Sequence, residues 1–216
     1  MEQSRNDLSD SYDAVAEEYA AHLFDELEHK PFDRRMLDWL VEKVQARGMI
    51  CDLGCGPGQI ARYLTERGVH VCGIDFSPEM IRRARELNPG ITFQQGDMLD
   101  LADVADEAFG GVAAFYSIVH VPRERMTDAL RETRRVLCAG GVLLLTFHVG
   151  SETVHRDELF GKRVSLDFLF FETGEMKEYL AAAGFALEEV IERDPYPEVE
   201  YPSRRAYIFA RKPKSA

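Results

Sequence analysis

The sequence predicts a doubly wound α/β fold with a mostly parallel sheet of seven strands. Five short apolar segments of strand length alternate with segments of helical periodicity in the first two thirds of the chain. These strand segments are almost continuously apolar, which is typical of parallel strands covered by helices on both faces. Two more strand segments near the C-terminus are joined by a short link, and a parallel crossover needs more chain. The final strand is therefore expected to be antiparallel.

The N-terminal part of the chain predicts two helices. Apolar residues recur at helical spacing in SYDAVAEEYAAHLF, residues 11–24, and in PFDRRMLDWLVEKVQARG, residues 31–48. The first segment is amphipathic, acidic on its outer face and rich in aromatic residues. We expect both helices to precede the sheet, within residues 1–47.

The central part, residues 48–148, predicts the alternating core. The five strand segments are MICDLG, HVCGIDF, ITFQQGD, GVAAFYSIV and GVLLLTFHV. Between them lie three helical segments, GQIARYLTERG, SPEMIRRARELN and PRERMTDALRETRRVLCAGG. Ser77 before Pro78 is typical of a helix N-cap followed by a first-turn proline, and Gly68 and Gly140 stand where helices are expected to end.

The last third of the chain breaks this alternation. Residues 149–172 have neither the periodicity of a long helix nor the apolar run of a buried strand, so we interpret them as an insertion over the carboxyl edge of the sheet. Residues 173–216 predict one helix, TGEMKEYLAAAG, and then a β-hairpin built from FALEEVIERD and RRAYIFARK. The whole of residues 1–216 is expected to form a single domain.

Composition and charge exclude several classes of partner. The chain has 216 residues, a formal net charge of -12 and a pI near 5.0. No broad basic face is therefore expected for a nucleic acid or an anionic membrane. The first residues lack a signal-peptide pattern, and the longest apolar run, near GVLLLTF, is too short to span a bilayer. We expect a cytoplasmic protein, either a monomer or a homodimer.

The four cysteines do not form a disulfide or metal pattern. Cys51, Cys55, Cys72 and Cys138 are scattered, and three of them lie in or beside apolar strand segments. The paired Cys/His spacings of a zinc site are absent from the sequence. We expect buried free thiols and no metal site, with Cys55 alone near a ligand because it stands inside a glycine-rich loop.

That glycine-rich loop is the strongest functional signal. Gly54, Gly56 and Gly58 occupy alternate positions between the first strand and the following helix, where a ligand can approach the backbone of a parallel sheet closely. The third glycine comes one residue too early for a dinucleotide motif, which has Gln59 at that position. Asp52 is expected to place a negative charge beside the ligand, suited to an ammonium or sulfonium. Asp75, at the end of the second strand, is placed to accept hydrogen bonds from ribose hydroxyls or to cap the next helix.

With these motifs in place, the sequence resembles the class I S-adenosylmethionine-dependent methyltransferases, and within them the small-molecule group that includes the ubiquinone and menaquinone methyltransferases. CDLGCGPG resembles the first motif of that family, QGDMLDL its acidic motif after the third strand, and FYSIVHV the segment after the fourth strand. SYDAVAEEYA resembles the N-terminal helix that covers the pocket in these enzymes. The resemblance covers residues 10–148 well and implies a Rossmann-like sheet, S-adenosylmethionine as cofactor and S-adenosylhomocysteine as product.

The resemblance also implies a role for particular residues. Asp52, Gly54, Gly56 and Gly58 line the methionine moiety, and Asp75 binds the ribose. Around the adenine the resemblance implies Phe76, Met80, Asp97 and Met98. Near the reactive end of the cofactor it implies Tyr116 and Ser117, and in the lid Tyr12 and Tyr19. Each has a structural alternative: Asp97 as a turn residue, for example, and the two lid tyrosines as core-facing aromatics.

Catalytic residues are barely encoded, because the attack of a nucleophile on the methyl carbon of a sulfonium, whose leaving group is neutral, depends mainly on alignment. His120 and His148 follow the fourth and fifth strands, so either is a candidate general base or an orienting group. For the acceptor, the insertion offers several phenylalanines, while Arg156, Lys162, Arg163 and the later SRRAY segment offer cations for a carboxylate or phenolate. The expected partner is a small-molecule acceptor. An NAD(P)-dependent oxidoreductase and a non-catalytic S-adenosylmethionine-binding protein remain open alternatives.

Overall fold

A computed structural model describes residues 5–44 and 48–214 of the chain. The described residues do not include 1–4 and 45–47, which belong to the predicted N-terminal segment, or 215–216, which belong to the predicted C-terminal segment. The helices are α1 (Arg5–Leu23), α2 (Pro31–Val44), α3 (Gln59–Glu66), α4 (Pro78–Leu87), α5 (Met126–Val136) and α6 (Thr173–Ala182). The strands are β1 (Ile50–Leu53), β2 (Val71–Asp75), β3 (Thr92–Gln95), β4 (Phe109–Phe115), β5 (Leu137–His148), β6 (Thr153–Leu159), β7 (Lys162–Leu169), β8 (Ala186–Arg193) and β9 (Arg205–Arg211).

Seven strands form one sheet in the order β3-β2-β1-β4-β5-β9-β8. The pairs among β1 to β5 are parallel, whereas β9 pairs antiparallel with both β5 and β8. The last strand of the chain therefore enters the sheet between two earlier strands. The predicted doubly wound, mostly parallel sheet with an antiparallel final strand is confirmed.

Helices cover both faces of this sheet and bury two separate apolar clusters. On one face α5 and α6 contribute Met126, Leu130 and Met176 to a cluster that includes the inward side chains of β4 and β5. On the other face α2 and α3 contribute Leu40 and Leu64. Strands that are buried from both sides must be apolar on both sides, which explains the continuous apolar runs in the sequence.

One predicted helix boundary needs correction. Gly140 does not end a helix: α5 ends at Val136, and Gly140 lies within β5 with a φ of 78°. The amide of Gly140 donates to the carbonyl of Lys212 at 2.9 Å, so pairing with the C-terminal segment extends the strand backward. The helix was predicted too long because pairing with a distant segment leaves no trace in local periodicity.

The insertion contains a β-hairpin that the sequence did not predict. β6 and β7 pair antiparallel as a separate two-stranded sheet. β6 is mostly exposed, and in β7 only Val164 and Leu166 are buried. An isolated two-stranded hairpin needs a packing partner for stability, and α1 provides it.

Helix α1 packs on this hairpin and on α4. Val15 and Ala16 bury against Val164 and Leu166, and backbone groups of β7 exchange hydrogen bonds with the hydroxyl of Ser11 at 3.1 and 3.3 Å. At the other contact, the carboxylate of Asp13 accepts hydrogen bonds from residues at the start of α4. Both sets of contacts hold α1 over the carboxyl ends of β1 and β2. Among the residues described, no helix is long and apolar enough to cross a membrane.

Candidate functional site

A cavity of about 640 Å³ lies at the carboxyl ends of β1, β2, β4 and β5, beneath α1 and the β6–β7 hairpin. Its volume falls within the range of about 300–1,000 Å³ that is typical of small-molecule sites. The structure brings most of the predicted site residues to its wall: Tyr12, Tyr19, Gly54, Cys55, Gly56, Asp75, Phe76, Met80, Asp97, Met98, Tyr116, Ser117, His120 and His148. Two of the predicted residues, Asp52 and Gly58, are not part of that wall.

The first two glycines of the loop let other groups approach the backbone. A Cβ atom at Gly54 would lie 2.2 Å from the Cβ atom of Ser117, whose hydroxyl donates to the carbonyl of Leu53 at 2.6 Å. At Gly56 the nearest atom to such a Cβ is a ring carbon of Tyr19, at 3.8 Å. Both glycines have positive φ, 76° and 51°. Gly54 is therefore needed for contact with the segment after β4, and Gly56 leaves room in the cavity.

Gly58 has a different role from the one expected. A Cβ atom there would lie 2.8 Å from the side-chain nitrogen of Asn88 and 2.8 Å from a ring atom of Phe93. Gly58 has a φ of 87° and is the N-cap residue of α3. The groups that approach Gly58 are therefore protein atoms of the α4–β3 region, so the prediction that it lines the ligand is corrected to a packing and turn role.

Asp52 also departs from its predicted role. Its side chain is buried, and one carboxylate oxygen accepts the amide hydrogen of Ala61, in the first turn of α3, at 3.0 Å. Burial raises the pKa of Asp52 to about 8, an effect that the nearby Asp75 increases. The expected negative charge beside a ligand is thus replaced by a buried carboxyl that stabilises the start of a helix.

Asp75 lies on the cavity wall and holds the glycine loop. One carboxylate oxygen accepts the amide hydrogen of Gly56 at 2.7 Å, and the other accepts that of Ser77 at 2.9 Å. The helix-capping alternative belongs instead to Ser77, whose hydroxyl accepts the amide hydrogen of Met80 at 3.0 Å. Each carboxylate oxygen of Asp75 has further lone-pair capacity toward the cavity. Burial raises the pKa of this carboxyl above its usual value, against the opposing effect of the two amides.

The residues predicted around an adenine form the next part of the wall. Asp97 makes a turn, because one of its carboxylate oxygens accepts the amide hydrogen of Leu99 at 2.8 Å. Met98 follows it on the cavity wall, and Phe76 and Met80 come from the β2–α4 connection. The turn role of Asp97 and a ligand role are compatible, since a carboxylate has about four acceptor positions.

Gln59 and Glu26 are polar residues of the wall that the sequence analysis did not assign to the site. Gln59 is buried, its amide nitrogen donates to a carboxylate oxygen of Glu26 at 3.1 Å, and its Oε1 atom is buried without a hydrogen-bond partner in the described part of the chain. Such an unpaired acceptor is costly unless a ligand or water donates to it. We name Gly54, Gly56, Gln59 and Asp75 the glycine-loop wall. Gln59 was visible in the sequence only as a departure from the dinucleotide motif.

Tyr116 is held in an uncommon backbone conformation, with a φ of 55°. Its amide donates to the hydroxyl of Thr146 at 2.9 Å, and its phenol oxygen lies 3.0 Å from that of Tyr207. A non-glycine residue in this conformation costs of order 1–3 kcal/mol and persists where surrounding contacts enforce it. In this conformation Tyr116 lines the cavity.

His120 is fully engaged by the protein. Its Nε2 atom lies 2.6 Å from the hydroxyl of Tyr12, and its Nδ1 atom lies 2.8 Å from the carbonyl oxygen of Asp167. A carbonyl only accepts, so Nδ1 carries the hydrogen and the hydroxyl of Tyr12 donates to Nε2. Burial lowers the pKa of His120 to about 4. The ring is neutral near pH 7 and joins α1 to the hairpin.

His148 presents one free nitrogen. Its Nδ1 atom lies 2.7 Å from the hydroxyl of Ser203, and its Nε2 atom has no hydrogen-bond partner within the described ranges. The ring stacks on Phe170 with centroids 4.9 Å apart, and the ring of Tyr116 lies 5.4 Å away. Burial, followed by the positive charges of Arg205 and Lys30, lowers the pKa of His148 to about 4.

The segment between β8 and β9 closes the cavity beside His148. We name His148, Glu200, Tyr201 and Arg205 the C-terminal wall; all four line the cavity. Glu200 is fully buried and accepts hydrogen bonds from Arg193 at 2.7 and 2.8 Å. The SRRAY segment was among the predicted sources of cations, but the sequence did not indicate the buried Glu200 opposite it.

Other predicted acceptor residues lie elsewhere. Arg156, Lys162 and Arg163 are exposed and are not part of the cavity wall, and Lys162 forms an ion pair with Glu18 on α1. Phe160 and Phe168 do line the cavity. Alternation along the hairpin turns its charged residues toward solvent.

The cysteines are free thiols: Cys51, Cys55 and Cys72 are buried, and Cys138 is half-buried. Burial raises the pKa of the Cys55 thiol well above its usual value. Within residues 5–44 and 48–214 there is no group of three or more His, Cys, Asp or Glu side chains that could hold a metal ion.

The sheet order, the glycine loop at the end of β1 and the acid at the end of β2 are typical of a nucleotide-type ligand site in an open α/β sheet.

Residues 50–141 match a family model described as a methyltransferase domain. A malonyl-[acyl-carrier protein] O-methyltransferase of Enterobacter lignolyticus is 31% identical over 121 residues, 55% of this chain and 47% of that protein. The putative methyltransferase YqeM of Bacillus subtilis is 31% identical over 133 residues, 59% of this chain and 53% of that protein. The chain thus spans about half the length of the curated relatives it matches.

Solved structures share the fold. A SAM-dependent methyltransferase of Methanosarcina mazei superposes with a TM-score of 0.71 at 19% identity, covering 81% of this chain and 96% of that one. A 1,6-didemethyltoxoflavin-N1-methyltransferase of Burkholderia thailandensis, solved with S-adenosylhomocysteine, has a TM-score of 0.70 at 18% identity, covering 97% and 87%. Residues 50–141 therefore resemble a methyltransferase domain in sequence, and the chain has the fold of solved SAM-dependent methyltransferases.

Proposed function

We propose that this chain transfers a methyl group from S-adenosylmethionine to an oxygen, nitrogen or carbon nucleophile of a small-molecule acceptor. The observation that carries the proposal is the glycine-loop wall. There the cavity is lined by two glycines of positive φ, by the carboxylate of Asp75 at the end of β2, and by Gln59 with its buried, unpaired Oε1 atom. The match of residues 50–141 to a methyltransferase domain supports the same cofactor.

The residues fit that cofactor on an observation independent of the family. The unpaired Oε1 atom of Gln59 requires a hydrogen-bond donor, and the α-ammonium group of the methionine moiety is one. The amide nitrogen of Gln59 is held by the carboxylate of Glu26, which also pairs with Lys30, so the Oε1 atom of Gln59 is fixed in position. Gly56 leaves the space that the moiety needs. Gln59 is therefore the residue we assign to the amino end of the cofactor.

We assign the remaining cofactor contacts by position along the wall. Asp75 binds the ribose hydroxyls with the lone pairs that the amides of Gly56 and Ser77 leave available. Asp97 and Met98 bind and flank the adenine, together with Phe76 and Met80. Tyr116 and Ser117 lie toward the reactive end, and Cys55 stands beside them on the loop.

The bound cofactor supplies a methyl group on a positively charged sulfur with a neutral leaving group. This chain's residues orient the acceptor and exclude water from the reaction, and these effects supply most of the rate. Tyr12 and Tyr19 of α1 lie on the cavity wall, so we propose that residues 1–47 form a lid. The rest of the single domain is then divided into the cofactor-binding core, 48–148, a covering insertion, 149–172, and a C-terminal unit, 173–216.

Of the two histidines, His148 fits a role toward the acceptor. It is neutral near pH 7 because burial lowers its pKa, and its Nε2 atom is available on the wall to accept a proton or hydrogen bond. His120 fits a positioning role, since Tyr12 and Asp167 occupy both of its nitrogens.

The test has a binding arm and a turnover arm. S-adenosylhomocysteine is expected to raise the melting temperature, because saturation at about 100 times the dissociation constant is worth about 2.7 kcal/mol. Radiolabelled methyl transfer to a panel of phenols, carboxylic acids and amines measures turnover. Stabilisation by NADH instead would favour the oxidoreductase. Cofactor binding without transfer to any acceptor would favour a non-catalytic binding protein, and no binding of S-adenosylhomocysteine would refute the proposal.

A further inference from the structure

The C-terminal wall contains a buried guanidinium group with unused donors. The side chain of Arg205 is 3% exposed and lines the cavity. Its Nη1 atom donates to the carbonyls of Tyr201 and Ser203. Its Nε atom is buried without a hydrogen bond, although it lies 3.1 Å from Glu200, and its Nη2 atom has no hydrogen-bond partner in the described residues. A buried arginine usually satisfies its donors, so this one is set for an acceptor that is not part of the protein.

The neighbouring carboxylate does not satisfy Arg205. Both oxygens of Glu200 accept hydrogen bonds from Arg193, and one also accepts the amide hydrogen of Tyr196 at 2.7 Å. The 3.1 Å separation from Arg205 is therefore an ion pair without hydrogen-bond alignment. Glu200 pairs with the guanidinium group and holds it in place, while the hydrogens on Nε and Nη2 of Arg205 have no hydrogen-bond acceptor among the described residues.

The surroundings of Arg205 indicate the shape of the missing group. In the sheet Arg205 pairs with His148, and Ser203, which Arg205 contacts, lies 2.7 Å from the Nδ1 atom of His148. The rings of Tyr116 and Tyr201 stand 5.4 and 6.1 Å from that of His148, on the same cavity. Lys30 adds a second cation, 5.9 Å from the ring centroid of Tyr116.

We propose that Arg205 binds a carboxylate carried by an aromatic acceptor whose ring lies against Tyr116, His148 and Tyr201. The planar guanidinium group matches a carboxylate with two parallel hydrogen bonds, and aromatic walls favour a planar ring. This inference rests on the proposed methyl transfer, because it assigns the acceptor side of the same cavity. It specifies how the acceptor is oriented. Which atom is methylated depends on the position of the bound ring.

The probes are benzoate and its uncharged analogue benzamide, titrated by calorimetry into the protein saturated with S-adenosylhomocysteine. We expect benzoate to bind about tenfold or more tightly than benzamide, because a charge-assisted hydrogen bond is about twice as strong as a neutral one in a buried site. Arg205→Gln should remove this preference. The matched control is Arg204→Gln, since Arg204 is half-exposed, pairs with Glu192 and is outside the cavity wall.

The outcomes separate this inference from the proposed function. If the wild-type protein does not bind S-adenosylhomocysteine, the proposed function itself is refuted. Normal cofactor binding with no benzoate binding, or with equal affinities for benzoate and benzamide, overturns only the assignment of Arg205. Retention of the preference in Arg205→Gln overturns it as well. If Arg205→Gln does not fold, Arg205→Lys keeps the charge but not the planar fork, and an undiminished preference there contradicts bidentate binding.

Discussion

The glycine-loop wall and the C-terminal wall face the same cavity but are built differently. The first comes from residues close together in the chain and uses backbone amides, glycines and one carboxylate. The second combines His148 with residues after β8, and it uses side chains that contact one another around the buried Arg205. A site that depends on backbone conformation leaves a spacing pattern in the sequence, whereas one that depends on paired side chains does not.

The two walls also differ in how burial changes their acids and bases. Near the glycine loop, burial raises the pKa of Asp52 and of Asp75. At the C-terminal wall it lowers the pKa of His148. Both changes favour the neutral form, since a poorly solvated site disfavours any charge. The guanidinium group of Arg205 is compensated in this site by the carboxylate of Glu200, 3.1 Å away.

The largest effect is expected at the backbone of the glycine-loop wall. Gly54→Ala should lower the free energy of unfolding by about 2–5 kcal/mol, combining a disfavoured φ with overpacking against Ser117. Gly68→Ala is the control, since Gly68 has a similar φ of 78° with no atom within 4 Å of an added Cβ. It should cost about 1–2 kcal/mol. Urea unfolding measures both, and equal losses would show that close approach is unimportant at Gly54.

Asp75→Asn tests whether the acid of the glycine-loop wall serves the ligand as well as the loop. It should weaken binding of S-adenosylhomocysteine by about 1.5–3 kcal/mol. Because Asp75 also accepts two amide hydrogens, some loss of stability is expected too. Calorimetry with an analogue lacking both ribose hydroxyls separates the roles: the wild type should discriminate against it and the variant should not. Equal discrimination by both proteins would assign Asp75 to the loop alone.

Opposite pH dependences should distinguish the buried Asp52, which lies behind the glycine-loop wall, from His148 in the C-terminal wall. Asp52 ionises near pH 4 when unfolded and at about 8 when folded, so the folded state binds more protons between these values and stability falls as pH rises. His148 titrates near 6.5 unfolded and at about 4 folded, so its contribution is lost as pH falls through that range. Each slope approaches about 1.4 kcal/mol per pH unit.

Two variants isolate these contributions in unfolding measurements. Asp52→Asn should lose less stability than the wild type between pH 6.5 and 8, where His120 and His148 are neutral in the folded protein because their pKa values are lowered to about 4. His148→Gln should lose less between pH 6.5 and 4, although His120 retains a similar dependence. Parallel curves for the wild type and Asp52→Asn would mean that Asp52 is charged in the folded protein.

The smallest effect is expected where α1 meets His120. Tyr12→Phe removes a 2.6 Å hydrogen bond and should cost about 0.5–1.5 kcal/mol. Hydrogen exchange of α1 should become faster while exchange in the central strands changes little. Tyr19→Phe is the matched control, because Tyr19 lines the same cavity and its ring contacts remain in phenylalanine. Equal exchange in the two variants would show that the Tyr12–His120 bond does not fasten the helix.

Much of the fold could be predicted because its strands are buried on both faces and its helices carry local end signals. Ser77 and Pro78 begin α4 as expected, and the hydroxyl of Ser77 accepts the predicted type of amide hydrogen bond. The backward extension of β5 past Gly140 and the β6–β7 hairpin were missed. In both cases the stabilising partner, the C-terminal segment or α1, is distant in the chain, so local periodicity carries no information about it.

The sequence by itself determined the doubly wound sheet, the glycine loop and the acid after β2, because each depends on local periodicity or on a backbone conformation that glycine alone adopts easily. Only the tertiary structure decided which of these groups face the cavity. It turned Asp52 toward α3 and Gly58 toward Asn88, left the Oε1 atom of Gln59 unpaired, and buried Arg205 beside Glu200. Burial and pairing are sums over neighbours from several elements, so no residue's role at this cavity follows from its position in the chain alone.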